Sequence, residues 1–224
     1  RPSAREMANQ ALLRRIRQLY TRSYRTYGSP RIYHALRAQG VPCSEQRVAR
    51  LMRDDGLRAV QTKRYRTTTK RNAADAVAPN RLQQDFTATA PNQKWVVDLT
   101  YIPTTEGWLY LAVVLDLYSH RVVGWSMEER MTSELTRAAL RMALVRRHPL
   151  AGLLHHSDRG SQYTADDYQA MLKAQQMVVS MNGAGSWYDN AAMESFFGTL
   201  KSELVHQWGQ RTRDEARTAL FFYL

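Results

Sequence analysis

Residues 95–126 read WVVDLTYIPTTEGWLYLAVVLDLYSHRVVGWS, and this stretch decides the fold. Positions 95–102 are apolar and β-branched, the composition of a buried strand. Positions 103–107 read as a turn, 108–117 as a second strand and 121–126 as a third. The longest apolar run, 109–115, is strand-sized and well short of the roughly 20 residues a membrane helix needs. One charge interrupts the first strand. Asp98 stands among Val96, Val97 and Leu99, where a carboxylate is costly unless it is paired or binds a metal.

Downstream, a helix is expected over 133–147 with Leu135, Ala139, Met142 and Ala143 inward. Residues 153–156 read as a short strand. Asp158 follows it, at the kind of strand end where ligands gather in open α/β sheets. Thr164 and Asp167 read as a capping box for the next helix, and 177–180 as a strand. The last helix is expected from near Asp189 and carries Met193, Phe196, Phe197, Leu200 and Leu204. Three strands, helix, strand, helix, strand, helix is the order of an RNase H-like α/β domain with a mixed five-stranded sheet.

Upstream, residues 1–60 read as helices. Leu12, Leu13, Ile16, Leu19 and Tyr20 recur at helical spacing between Arg14, Arg15, Arg17 and Arg22. Ser29-Pro30 reads as a cap followed by Pro in the first turn, opening a helix that should stop near Gly40. Ser44 opens another, with Val48, Leu51 and Met52 on one side and Gly56 at its end. The pair has the size of a helix-turn-helix. Its second helix offers Gln46, Arg47, Arg50 and Arg53 away from the apolar side, types that reach base edges and phosphates. A small bundle with a solvated basic face is the plain alternative. Residues 61–92 lack periodicity; Lys63, Arg64, Arg66, Lys70 and Arg71 crowd among threonines as a basic linker, either tracking phosphates or serving as a solvated tether. The expected division is thus 1–60 helical and DNA-binding, 61–92 linker, and 93–224 catalytic core.

The 32 Lys and Arg against 20 Asp and Glu in 224 residues give a net charge of +12, which points to a nucleic acid partner. The single cysteine, Cys43, excludes an internal disulfide and a cysteine zinc site, and fits a reducing cytosol. No signal-peptide pattern opens the chain. The expected location is the bacterial cytoplasm, at the nucleoid, with no membrane partner.

Phosphodiester chemistry without a covalent intermediate needs an activated oxygen nucleophile and a stabilised leaving oxygen. Two Mg²⁺ ions about 4 Å apart supply both, and a few carboxylates from different elements suffice to hold them. Asp98, Asp158 and Glu194, early in the last helix, qualify. With 20 acidic residues in the chain, their spacing alone proves little; local context decides.

In that context DLTYIPT (98–104), VVLDLYSHRVVGW (113–125), HHSDRGSQY (155–163) and DNAAMESFFGTLKSE (189–203) resemble the catalytic core of insertion-sequence transposases of the retroviral-integrase-like DDE superfamily, in the group made from two overlapping reading frames. YGSPRIYHALRAQG (27–40) resembles the segment that precedes that core. The resemblance implies that Asp98, Asp158 and Glu194 are the catalytic, metal-binding triad for two Mg²⁺ ions, for which Mn²⁺ can substitute, with Asp98 bridging them. The 35 residues between Asp158 and Glu194 match the family's spacing. Lys201, two helical turns after Glu194, faces the same side and resembles the family's contact to terminal DNA. Asn190 is expected to orient Glu194 or contact DNA, and the 183–187 loop to approach DNA closely. The implied activity is cleavage of 3′ ends at terminal inverted repeats, then attack of the freed 3′-OH on target DNA through a joined or circular intermediate. The implied assembly is a homodimer or higher on DNA, with a possible first-frame partner.

The sequence also departs from the pattern. Ala184 stands where relatives carry a basic residue, and the chain ends at Leu224 inside what resembles a C-terminal segment, so truncation is expected. Asp116 reads as structural or outer-shell rather than as a ligand. His155 and His156 are adjacent in a strand and point to opposite faces, so at most one can face the metals. Two other functions stay open: a DNA-binding regulator with an inactive core, and a nuclease that degrades RNA in hybrids.

Overall fold

The computed structural model describes residues 3–59, 78–183 and 188–224. It divides into two compact units, Arg1–Arg64 with Thr199–Trp208, and Tyr65–Gly198 with Gly209–Leu224.

The first unit holds three helices, α1 (Ala4–Arg22), α2 (Ser29–Ala38) and α3 (Glu45–Asp54). Leu12 and Ile16 from α1, Ile32 and Leu36 from α2, and Val48, Leu51 and Met52 from α3 form one buried cluster. These are the periodic apolar positions of the sequence, and their burial is what makes such short helices stable. Ser3 and Glu6 form a capping box on α1, and the Ser44 hydroxyl accepts from Arg47 N on α3. At α2 the expected cap moves one residue. Gly28 is the N-cap and Ser29 the first helical residue, with Pro30 still in the first turn. Gly40 and Gly56 end α2 and α3 at φ of +72° and +70°, a backbone region that favours glycine.

The second unit is built on β1 (Lys94–Thr104), β2 (Gly107–Asp116), β3 (Arg121–Glu128), β4 (Leu154–Ser157) and β5 (Val178–Met181). Their order is β3-β2-β1-β4-β5. The first three strands are antiparallel, whereas β4 runs parallel to β1 and β5 parallel to β4. This is the mixed five-stranded sheet expected. Pro103, read as the start of a turn, instead lies within β1, opposite Trp108. There, among the described residues, β1 has no strand partner on its other side, because β4 pairs only with positions 94–96, and an open edge tolerates a residue without an N–H.

α4 (Ser133–Arg147), α5 (Ser161–Thr164) and α6 (Asp166–Ala174) follow on one face. Trp95, Val97, Ala112, Val114 and Val123 from the sheet pack there with Leu135, Ala139, Leu140, Tyr168 and Leu172. Val96, Val113 and Leu115 alternate with them and are buried as well, so the central strands are covered on both sides. The capping box expected of Thr164 and Asp167 does not form. The helix is broken at Ala165, and the Asp167 carboxylate instead accepts from Tyr168 N and pairs with Arg137. A 3₁₀ turn, Tyr188–Asn190, leads into α7 (Ala191–Glu203), and α8 (Arg213–Tyr223) ends the chain described. No helix among the described residues is long and apolar enough to cross a membrane.

Candidate active site

Val96 of β1 lies opposite His156 of β4 in parallel register. Asp98, still within β1, and Asp158 each stand two positions further along the chain. β4 ends at Ser157, which places Asp158 first beyond it. The Asp98 carboxylate accepts from Leu99 N at 2.7 Å, and that of Asp158 from Gly160 N at 2.9 Å. Gly160 makes this approach possible, since a Cβ there would meet the Gln162 side-chain nitrogen at 2.7 Å and the Asp158 oxygen at 3.0 Å. Burial pushes the Asp158 carboxyl above its ordinary range, opposed by the Gly160 N–H. Behind them lies the buried phenol of Tyr163. Burial raises its pKa most, and the charges of Asp98 and Asp158 raise it further. Its hydroxyl has no hydrogen-bond partner among the described residues. Two carboxylates, one strongly desolvated, are hard oxygen donors of the kind Mg²⁺ takes, and a cation would restore the charge that burial disfavours.

Glu194 is exposed on α7, a helix anchored by buried Met193, Phe197 and Leu200. Among the described residues no three His, Cys, Asp or Glu stand close enough together to hold a metal ion. The charges of Asp98 and Asp158 act on the same phenol, that of Tyr163. Lys201 is half-buried two turns along α7. Asn190 is 5% exposed, and its side-chain oxygen has no hydrogen-bond partner among the described residues.

A polar network that sequence reasoning missed lies next to these acids. The Ser180 oxygen accepts from Arg81 N at 2.8 Å and Leu82 N at 3.1 Å and is 2.8 Å from Nδ1 of His156. Nε2 of His156 is 2.7 Å from the Asn182 side-chain oxygen. Asp189, 1% exposed, accepts from Asn80 Nδ2 and from Gly183 N, each at 2.9 Å. The available signal was the presence of His156 and Ser180 inside strands, where burial without partners is expensive. Burial lowers the pKa of His156, and Asn182 and Asp189 oppose the shift.

His155 takes the other face, fully buried, with Nε2 2.9 Å from the Tyr168 hydroxyl. Asp116 is also fully buried. It accepts from Asn92 N at 2.8 Å and from Ser119 N and Oγ at 3.0 and 2.6 Å, the bonding of an acid that closes a turn.

On the helical unit, Arg47, Arg50 and Arg53 line one cleft with Ser44 and Gln46, joined by Arg5 and Ala8 of α1. Arg5 was not anticipated. Arg47 Nε donates to Asn9 at 2.9 Å, so part of its guanidinium serves the bundle. Lys63, Arg64, Arg66, Lys70, Arg71 and Ala184 lie outside the described residues, as does most of the 183–187 loop.

Comparison with known proteins supplies the context. The family described as Integrase core domain matches residues 88–186, and that described as HTH-like domain matches residues 7–65. The Shigella sonnei protein described as insertion element IS600 uncharacterized 31 kDa protein is 46% identical over 100% of this chain and 82% of its own length. Transposase InsF for insertion sequence IS3A of Escherichia coli K12 is 47% identical over 92% of this chain and 71% of its own. In fold, the chain is similar to one from a simian T-cell lymphotropic virus intasome solved in complex with PP2A regulatory subunit B56 gamma. The TM-score is 0.53 at 15% identity, over 91% of this chain and 66% of that one.

Proposed function

The chain belongs to the IS3 family of insertion-sequence transposases, DDE polynucleotidyl transferases with an HTH-like domain and an integrase core, and from that premise we propose that it cuts the 3′ ends of its element and joins them to a second DNA. The carrying observation is that Asp98, within β1, and Asp158, just past β4, each stand two positions beyond the paired Val96 and His156 of neighbouring parallel strands.

In this reading residues 1–60 bind the terminal inverted repeats, 61–92 link, and 93–224 catalyse. Asp98, Asp158 and Glu194 would hold the divalent cations, Glu194 joining the two aspartates when DNA is bound. Two Mg²⁺ ions, or Mn²⁺ in their place, would activate the attacking oxygen and stabilise the leaving one. Asn190 orients Glu194, while Lys201, on the same side of α7, holds a terminal phosphate. Tyr163 walls the site and keeps water from the carboxylates. Arg47, Arg50, Arg53, Lys63, Arg64 and Arg66 take DNA phosphates and bases. The acting species is a homodimer or larger on DNA, with a first-frame partner able to join it, in the bacterial cytoplasm at the nucleoid.

The test is strand transfer with purified protein and labelled element ends, comparing wild type with Glu194→Gln and Asp158→Asn. Joined product from the wild type alone, abolished by chelating divalent cations while end binding persists, is the expected result. Equal product from all three proteins would sink the assignment of the triad.

A further inference from the structure

Asp189 is nearly inaccessible, and both of its named hydrogen bonds leave its own helix. One is donated by Asn80 Nδ2 and one by Gly183 N, each at 2.9 Å. These donors belong to the residue just after Asn182, beyond β5, and to a segment about a hundred positions upstream. That segment is itself fixed, because Arg81 N and Leu82 N donate to Ser180 of β5, Leu82 is buried, and the Asn80 oxygen accepts from Gln83 N at 3.0 Å. Ser180 and Asn182 in turn hold His156, two positions before Asp158. Asn182 N donates to Ser157 O at 3.1 Å, and Arg159 Nε to Asn182 O at 2.6 Å. The bonds form one partly buried frame. It joins the end of β4, which carries Asp158, to the entry of α7, which carries Glu194.

We infer that Asp189 is the positioning residue for Glu194: its buried carboxylate fixes the start of α7 to the end of β5 and to Asn80, and so sets where Glu194 stands relative to Asp98 and Asp158. The inference rests on the reading of Glu194 as the third carboxylate. Glu194 is exposed on α7, so burial of its own side chain does not fix it. A catalytic group needs placement to a fraction of an ångström, and here the helix entry must provide it.

The experiment compares Asp189→Ala, Asp189→Asn, Asn80→Ala and Glu194→Gln for the joining rate at saturating DNA, for end-binding affinity, and for amide exchange over residues 191–195. For Asp189→Ala the expected result is a joining rate lower by about 10- to 100-fold, unchanged end binding and faster exchange over 191–195. Asp189→Asn keeps an oxygen able to accept both bonds and should restore most of the rate and the protection. Asn80→Ala removes one of the two named bonds to Asp189, together with the one from Gln83 N, at a half-buried residue and should give a smaller loss with the same exchange signature, which decides the matter should Asp189→Ala fail to fold. Wild-type rate and exchange in Asp189→Ala or Asn80→Ala, with Glu194→Gln inactive, would overturn the positioning role and leave the triad standing. Full joining by Glu194→Gln would bring down the underlying reading instead.

Discussion

The hydroxyl of Ser180 lies 2.8 Å from Nδ1 of His156 and already accepts from two backbone N–H groups. An oxygen with two lone pairs so engaged has only its proton left to offer. Ser180 therefore donates to Nδ1, and His156 is the neutral tautomer whose Nε2–H donates to Asn182. One side chain thereby joins β5, β4 and the segment before β1.

Replacing Ser180 by alanine strands three polar groups at once: Arg81 N, Leu82 N and His156 Nδ1. An unsatisfied buried group costs about 1–3 kcal/mol, and neighbouring losses are not additive. The expected destabilisation of Ser180→Ala is about 3 kcal/mol, read by urea unfolding, with Ser180→Thr recovering much of it because the hydroxyl is kept. A loss below about 0.5 kcal/mol, the range of an ordinary surface substitution, would mean that the frame does not carry load.

His155 gives a pH signature. Burial lowers its pKa from 6.5 to about 3, and the nearby His156 adds to the shift. The unfolded chain therefore takes up a proton near pH 6.5 that the folded chain refuses until about 3. Stability from this residue is complete above 6.5 and is lost as pH falls through that window. The slope contributed is at most about 1.4 kcal/mol per pH unit. Asp158 acts the other way, since its raised pKa lets the folded chain bind a proton first. Unfolding of wild type and His155→Leu between pH 4.5 and 7.5 separates the two, and the variant should show the flatter acid limb. Parallel curves would show that His155 titrates normally.

Gly124 lies where β3 meets α4. A Cβ there would stand 2.2 Å from Ala139 O, 2.7 Å from Ala143 N and 2.8 Å from Ala143 Cβ. Two of these atoms are backbone, so a rotamer change cannot relieve the contact and helix and strand must separate. Gly124→Ala should lose about 1–3 kcal/mol or more, with a lower melting temperature. Wild-type melting would show that the pair is not packed this closely.

Arg50 and Arg53 line the cleft of the helical unit. Each guanidinium that neutralises a phosphate contributes about one unit to the salt dependence of DNA binding. Arg50→Ala and Arg53→Ala should each weaken end binding and lower the slope of log K against log salt by about 1. An unchanged slope would place the DNA contact on another surface of the unit.

Some of this was written along the chain. The seven residues that bury the helical unit recur at helical spacing, and the strand alternation of 95–126 survives as Trp95 and Val97 on one face with Val96 on the other. Asp98 announced itself because a charge in an apolar strand is costly without a partner. Periodicity reports only which residues share a face. It could not say that Thr164 and Asp167 fail to cap, because Arg137 and Tyr168 N compete for the same carboxylate.

The sequence by itself determined most of the elements and their order and, through a family resemblance, singled out three acids, because helix and strand periods and local motifs are short-range properties. Tertiary structure alone decided that β4 pairs with β1 in a register that sets Val96 opposite His156, two positions before the two aspartates, and that Asp189 reaches Asn80 and Gly183. Those relations join residues tens to a hundred positions apart. They are set by packing and by the need to satisfy buried polar groups, which no local pattern encodes.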